Sequence, residues 1–119
     1  LPKEMTLKSC CELVKDQFHL DSVKVFGDLN TIVRRVAISP GSGKHMSGLA
    51  VEKGAEVFVT GDIDHHEGID AVDQGVAIID AGHYGLEHIF IRDIAKFLQN
   101  NLEQVEIITA DIRHPFQVI

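Results

Sequence analysis

The feature that most constrains the fold is a repeated switch between short continuous apolar runs and segments of helical period. Glu56-Val57-Phe58-Val59-Thr60 and residues 76–80, Val76-Ala77-Ile78-Ile79-Asp80, are too short for helices and lie between glycines. Both read as buried strands. Between them, residues 66–74 read as a helix closed by Gly75. Strands alternating with helices at such intervals predict a mostly parallel sheet, because parallel neighbours need crossover connections. The fold class is therefore α/β, a three-layer α/β/α arrangement with helices covering the sheet.

The flanking segments extend this pattern. Thr6 is placed to cap a helix whose apolar stripe is Leu7, Cys10, Cys11, Val14 and Phe18. Val23-Lys24-Val25-Phe26 and residues 32–38 predict two short strands, separated by the turn-forming Gly27-Asp28-Leu29-Asn30. Ser39-Pro40-Gly41-Ser42-Gly43 breaks the second run, and residues 45–52 read as a short helix stopped at Gly54. Leu86, Phe90, Ile94 and Phe97, with Ile89 beside them, predict the core face of a longer helix ending near Asn100-Asn101. Val105-Glu106-Ile107-Ile108 predicts a final strand.

Composition narrows the function. With 119 residues, 45% hydrophobic and 24% charged, the chain is expected to form one domain spanning 1–119. The apolar runs fall far short of the ~20 residues that cross a bilayer, so a soluble protein without membrane partners, cytoplasmic or organellar, is expected. Adjacent Cys10 and Cys11 cannot form a useful staple and suit a reducing compartment as small apolar fillers. A net charge of -7 argues against nucleic-acid binding. The distribution is more telling than the sum, since residues 54–91 contain eight acids and four histidines but no Lys or Arg. A bound cation is one way to relieve that crowding.

Three loops leave the carboxyl ends of predicted strands and enter helices, at residues 39–44, 61–66 and 80–87, and ligands usually bind along that sheet edge. The first is not a Walker loop, because Ile38 stands where the leading glycine belongs and His45 where Ser or Thr belongs. A tight turn explains its glycines, with a close-approach or anion-binding role as the alternative. In the second, Asp62, Asp64, His65 and His66 follow a strand directly; Asp62 and Asp64 can cap the next helix, or Asp62 and one histidine can belong to a site. In the third, His83 and Glu87 are four residues apart, within reach of one ion if the helix has begun. The plain alternative is a surface pair on a helix end.

In order and spacing, Gly41-Ser42-Gly43, Gly54-Ala55-Glu56-Val57-Phe58-Val59-Thr60-Gly61-Asp62 with His66, and Asp80-Ala81-Gly82-His83-Tyr84 with Glu87 resemble the carboxyl-terminal half of the NIF-three-like proteins, the GTP cyclohydrolase I type 2 homologues. The resemblance implies an α/β fold of two similar halves, two divalent metal ions in the cleft between them, and homo-oligomers, often hexamers. It implies that 1–119 is the C-terminal fragment of a longer protein, which the opening Leu1 also suggests. His83 and Glu87 match metal ligands; Asp62 and His66 match positions near the cleft, giving them catalytic or positioning roles. The family's other ligands, an adjacent histidine pair and an aspartate, belong to the half this chain lacks, and His65-His66 is not that pair. The expected function is thus part of the metal site of a metal-dependent hydrolase, cyclohydrolase-like or phosphoesterase, inactive as this fragment, on an unknown small-molecule substrate. The alternative is a non-catalytic metal-binding or assembly module. Mixed imidazole and carboxylate ligands suit Zn, Mn, Fe, Co or Ni, and the metal can be absent from the fragment alone.

Overall fold

The computed structural model describes residues 1–119. The elements, in chain order, are β1 (Met5–Thr6), α1 (Leu7–Phe18), β2 (Lys24–Phe26), β3 (Ile32–Val33), β4 (Val36–Ser42), α2 (Ser47–Glu52), β5 (Val57–Gly61), α3 (His65–Asp73), β6 (Ala77–Asp80), α4 (His83–Glu87) and α5 (Ile89–Asn101). The main sheet has the order β2-β6-β5-β4. β4, β5 and β6 run parallel, and β2 closes one edge antiparallel to β6. β1 and β3 form a small antiparallel pair of their own.

Strand geometry sorts the core into two layers. Successive residues of a strand point to opposite faces, so Val57 and Val59 of β5 join Ile79 of β6 on one face while Phe58 and Ile78 occupy the other. The first face is covered by Leu7, Cys10, Cys11 and Val14 of α1, together with Leu86 of α4. The second is covered by Ala50 of α2 and Ala71 of α3, with Ile63 from the loop between β5 and α3. Every residue of β5 is buried, as expected of a central parallel strand with helices on both sides. This is the three-layer α/β/α arrangement. No helix is long and apolar enough to cross a membrane.

Local chemistry explains the boundaries of α1. The Thr6 side chain accepts the Ser9 amide at 3.1 Å, and His19 ends the helix in a left-handed conformation. Burial raises the thiol pKa of Cys10 and pushes that of Cys11 to about 11, helped by its neighbour Cys10 and by Glu12. Both side chains are protonated apolar fillers near neutral pH.

Four expectations need correction. The single strand expected over residues 32–38 is two, β3 and β4, which belong to different sheets. Residues 39–43 do not break the strand, because β4 continues to Ser42 through an irregularity after Ile38 that pairs Ser42 with Gly61. The helix expected through Leu86 and Phe97 is two helices, α4 and α5, meeting at His88. Its stripe also divides: Leu86 is 2% exposed, but Phe90, Ile94 and Phe97 are 48%, 53% and 61% exposed. A periodic stripe identifies an apolar face, and only a neighbouring element can bury it. Residues 105–108 form no strand, with Ile108 81% exposed. They pair with neither sheet edge, and a strand exists only through its partner's hydrogen bonds.

The asymmetry between the two parts of that stripe is measurable. Leu86→Ala is expected to cost about 2–5 kcal/mol of unfolding free energy, whereas Phe97→Ser in the same chain is expected to stay within about 0.5 kcal/mol, both read by urea denaturation. Iodoacetamide at about pH 8 is expected to label Cys11 at least ~10-fold more slowly in the native chain than in guanidinium chloride, since only the thiolate attacks.

Candidate metal-binding site

The three loops predicted to share an edge do meet there, and a buried carboxylate joins two of them. Asp80, at the end of β6, is 7% exposed. Its Oδ1 accepts the amides of Asp62 at 3.1 Å and Gly82 at 3.0 Å, and its Oδ2 accepts that of Ile63 at 3.1 Å. Lys24 of β2 completes the set, with Nζ 2.8 Å from Oδ2 and donating to the Ile63 carbonyl at 2.8 Å. One carboxylate thus fixes the start of the loop after β5, the start of the loop after β6, and the edge strand β2. In the sequence Asp80 is one of the eight acids of the basic-free window, with nothing in its spacing to single it out. Its position one residue after a buried apolar run was the available signal.

The Asp80 contacts place Asp62. Asp62 adopts φ 56°, in the left-handed region that a non-glycine residue seldom occupies. Capping of α3 falls instead to Asp64, whose side chain accepts the Glu67 amide at 2.9 Å. That bond, assisted by Lys44, holds the Asp64 carboxyl below its ordinary pKa. Relieved of capping, Asp62 reaches His83, with Oδ2 3.0 Å from Nδ1.

His83 begins α4 and is hydrogen-bonded through Nδ1. Its Nε2 lies 3.3 Å from Glu87 Oε1, one helical turn along. When Nδ1 carries the proton donated to Asp62, Nε2 presents a lone pair toward a carboxylate oxygen. Two acceptors converging on one point need a positive charge between them, either a second imidazole proton or a metal cation.

Glycines keep this point open. Gly41, at φ 67°, lies so close that a Cβ there would sit 2.8 Å from Glu87 Oε1 and 3.4 Å from His83 Nε2. Gly61 packs against the backbone of Gly82 and His83, where a Cβ would come within 2.5 Å. The first loop is therefore a wall of the site rather than a free turn. It is anchored by the Gly43 amide on buried Thr60 Oγ1 at 2.9 Å, and by the His45 amide on Glu67 Oε1 at 2.6 Å. Its glycines were visible in the sequence, but the close approach that Gly41 permits depends on where α4 lies.

Asp62, His83 and Glu87 line one cleft of about 1000 Å³. His66 does not join them; it is exposed on α3, its ring 5.5 Å from that of His65. The donor set fits a divalent cation in part: an imidazole nitrogen and a carboxylate oxygen converge, backed by a second carboxylate, but no group of three or more His, Cys, Asp or Glu side chains is assembled to hold an ion.

Fold and site together define an α/β domain with an imidazole and two carboxylates grouped at the carboxyl ends of its parallel strands. Residues 1–115 match the family described as Duf34/NIF3 (NGG1p interacting factor 3). The chain belongs to this family. It is 39% identical over 106 residues to a GTP cyclohydrolase 1 type 2 homolog of Staphylococcus aureus, covering 87% of the chain and 29% of that protein. It is 31% identical over 121 residues to the homolog from Clostridium perfringens, covering 100% of the chain and 46% of that protein. A Bacillus cereus protein related to NIF3 superposes with a TM-score of 0.87 at 31% identity, covering 100% of this chain and 34% of that one. The chain spans less than half the length of these relatives.

Asp80→Ala would leave three backbone amides and Lys24 without their acceptor. It is expected to cost about 3 kcal/mol, from the unmade bonds of a buried charged group. Asp80→Asn, which keeps one acceptor oxygen, should cost less; equal stability of parent and Asp80→Ala in urea would contradict the role given to Asp80.

Proposed function

We propose that this chain supplies the His83–Glu87 pair to a divalent-metal centre of hydrolase type, completed by residues from the remainder of a longer protein. The observation that carries this reading is the convergence of Nε2 and Oε1 on one open point beside Gly41. A bound divalent metal supplies Lewis acidity and lowers the pKa of water for attack on a carbonyl or phosphoryl centre. In this reading His83 and Glu87 hold the ion, and Asp62 fixes the His83 ring by accepting from Nδ1, which raises the basicity of Nε2. The geometry favours Asp62 over His66 for the positioning role, because His66 stands outside the cleft. The name shared by the relatives points to cyclohydrolase chemistry, and family membership is the support for extending that class to this chain.

A second reading, a non-catalytic metal-binding or assembly module, draws on the uncovered face of Phe90, Ile94 and Phe97. An apolar face of this kind suits burial against a further part of the protein or a second copy, which is the basis for proposing homo-oligomers. Turnover of small phosphoesters or cyclic amides by the longer protein with Mn²⁺, Co²⁺ or Zn²⁺, and its loss in His83→Ala, separates the two readings.

Metal binding by the chain itself is tested by titrating Mn²⁺ and following its electron paramagnetic resonance signal. Weak binding is expected, abolished by His83→Ala and weakened by Gly41→Ala, whose methyl displaces Glu87. His66→Ala should bind as the parent does. Unchanged binding in both His83→Ala and Glu87→Gln would refute the assignment.

A further inference from the structure

The segment after α5 does not trail away from the molecule but returns to the cleft. The Arg113 amide donates to the Tyr84 hydroxyl at 3.3 Å. The His114 ring packs edge-on against Tyr84, with centroids 5.6 Å apart and planes at 86°, and against His88 at 6.0 Å and 79°. These contacts anchor the segment beside α4, and the residues that follow form one wall of the cleft containing Asp62, His83 and Glu87.

Phe116 stands out in that wall. Its Cζ lies 3.9 Å from where a Cβ on Gly82 would stand, within van der Waals reach of the backbone that leads into His83. Whereas Tyr84, His88 and His114 are packed against one another, Phe116 remains 64% exposed. An aromatic ring held at the rim of a polar site, with its surface uncovered, offers a platform for a second planar ring. The cleft brings Asp62, His83 and Glu87 together with the apolar Phe116, Val118 and Ile119, which, with a cation held at His83 and Glu87, suits a ligand with an oxyanion at one end and a flat apolar group at the other.

Building on the metal-site reading above, we propose that Phe116 is a specificity-determining residue that stacks on a planar aromatic or heteroaromatic group of the ligand, whose oxyanion end faces His83 and Glu87. The ligand class is thereby narrowed to aryl or heteroaryl phosphates and carboxylates. The anchor of His114 on Tyr84 holds the segment that carries Phe116 beside α4.

Phenyl phosphate and ethyl phosphate, which share a head group and differ in the ring, provide the test. Binding to the Mn²⁺-loaded chain is followed by manganese-induced ³¹P relaxation. Phenyl phosphate is expected to bind about fivefold more tightly, the range an aromatic pair contributes. Phe116→Leu should abolish that preference while leaving ethyl phosphate and Mn²⁺ binding unchanged, and Phe116→Tyr should retain it. A second arm omits the metal: phenol should shift the amide resonances of Gly82 and Phe116 in the parent chain but not in Phe116→Leu. Equal binding of the two phosphates, a preference that survives Phe116→Leu, or absence of the phenol shifts overturns the proposal. Failure of the metal-site reading alone shows separately, as loss of Mn²⁺ binding with the phenol shifts intact.

Discussion

The site depends on the carboxylate of Asp80. It is the only group that bonds at once to the loop after β5, the loop after β6 and the edge strand β2, through three amides and Lys24. Charge-assisted bonds of this kind are stronger than neutral ones and lose little to solvent competition when buried. They hold Asp62 in a left-handed conformation that its own backbone would not choose, and that conformation turns its side chain toward His83. Asp80 itself touches no part of the proposed coordination point.

The second constraint is space. His83 and Glu87 sit one helical turn apart, a spacing that on an exposed helix yields only a weak ion pair. Two features of the surrounding structure distinguish this pair. Asp62 pairs with the far nitrogen of the imidazole, so that with the proton on that nitrogen the near one presents its lone pair, and Gly41 brings the β4 backbone against the pair without a side chain to fill the gap. The family relationship agrees with the fold.

Much of this was legible in the sequence because burial imposes simple periods. The apolar runs of β5 and β6, the stripe of α1 with its Thr6 cap, and the strand-to-helix order gave the layered fold, and the strand-end positions gave the shared edge. What was not legible depended on neighbours. Phe90, Ile94 and Phe97 carry a helical period as regular as that of α1, yet nothing in the chain covers them. Residues 105–108 are apolar and β-branched enough for a strand but lack an edge to join. The glycines after Ile38 suggested a turn, although β4 continues to Ser42, because Gly41 admits the side chains of α4 and Gly43 packs against Thr60 and Phe58 of β5. The role of Asp80 was hidden for the same reason: its partners are amides brought to it by the fold.

The central claim is that Nε2 of His83 and Oε1 of Glu87 converge to hold a divalent cation. Crystals of the chain soaked in Mn²⁺ and measured for anomalous scattering test it most directly. The account predicts a peak within ~2.5 Å of both atoms, as usual ligand distances require. A map without that peak, with the two side chains turned apart, would contradict it.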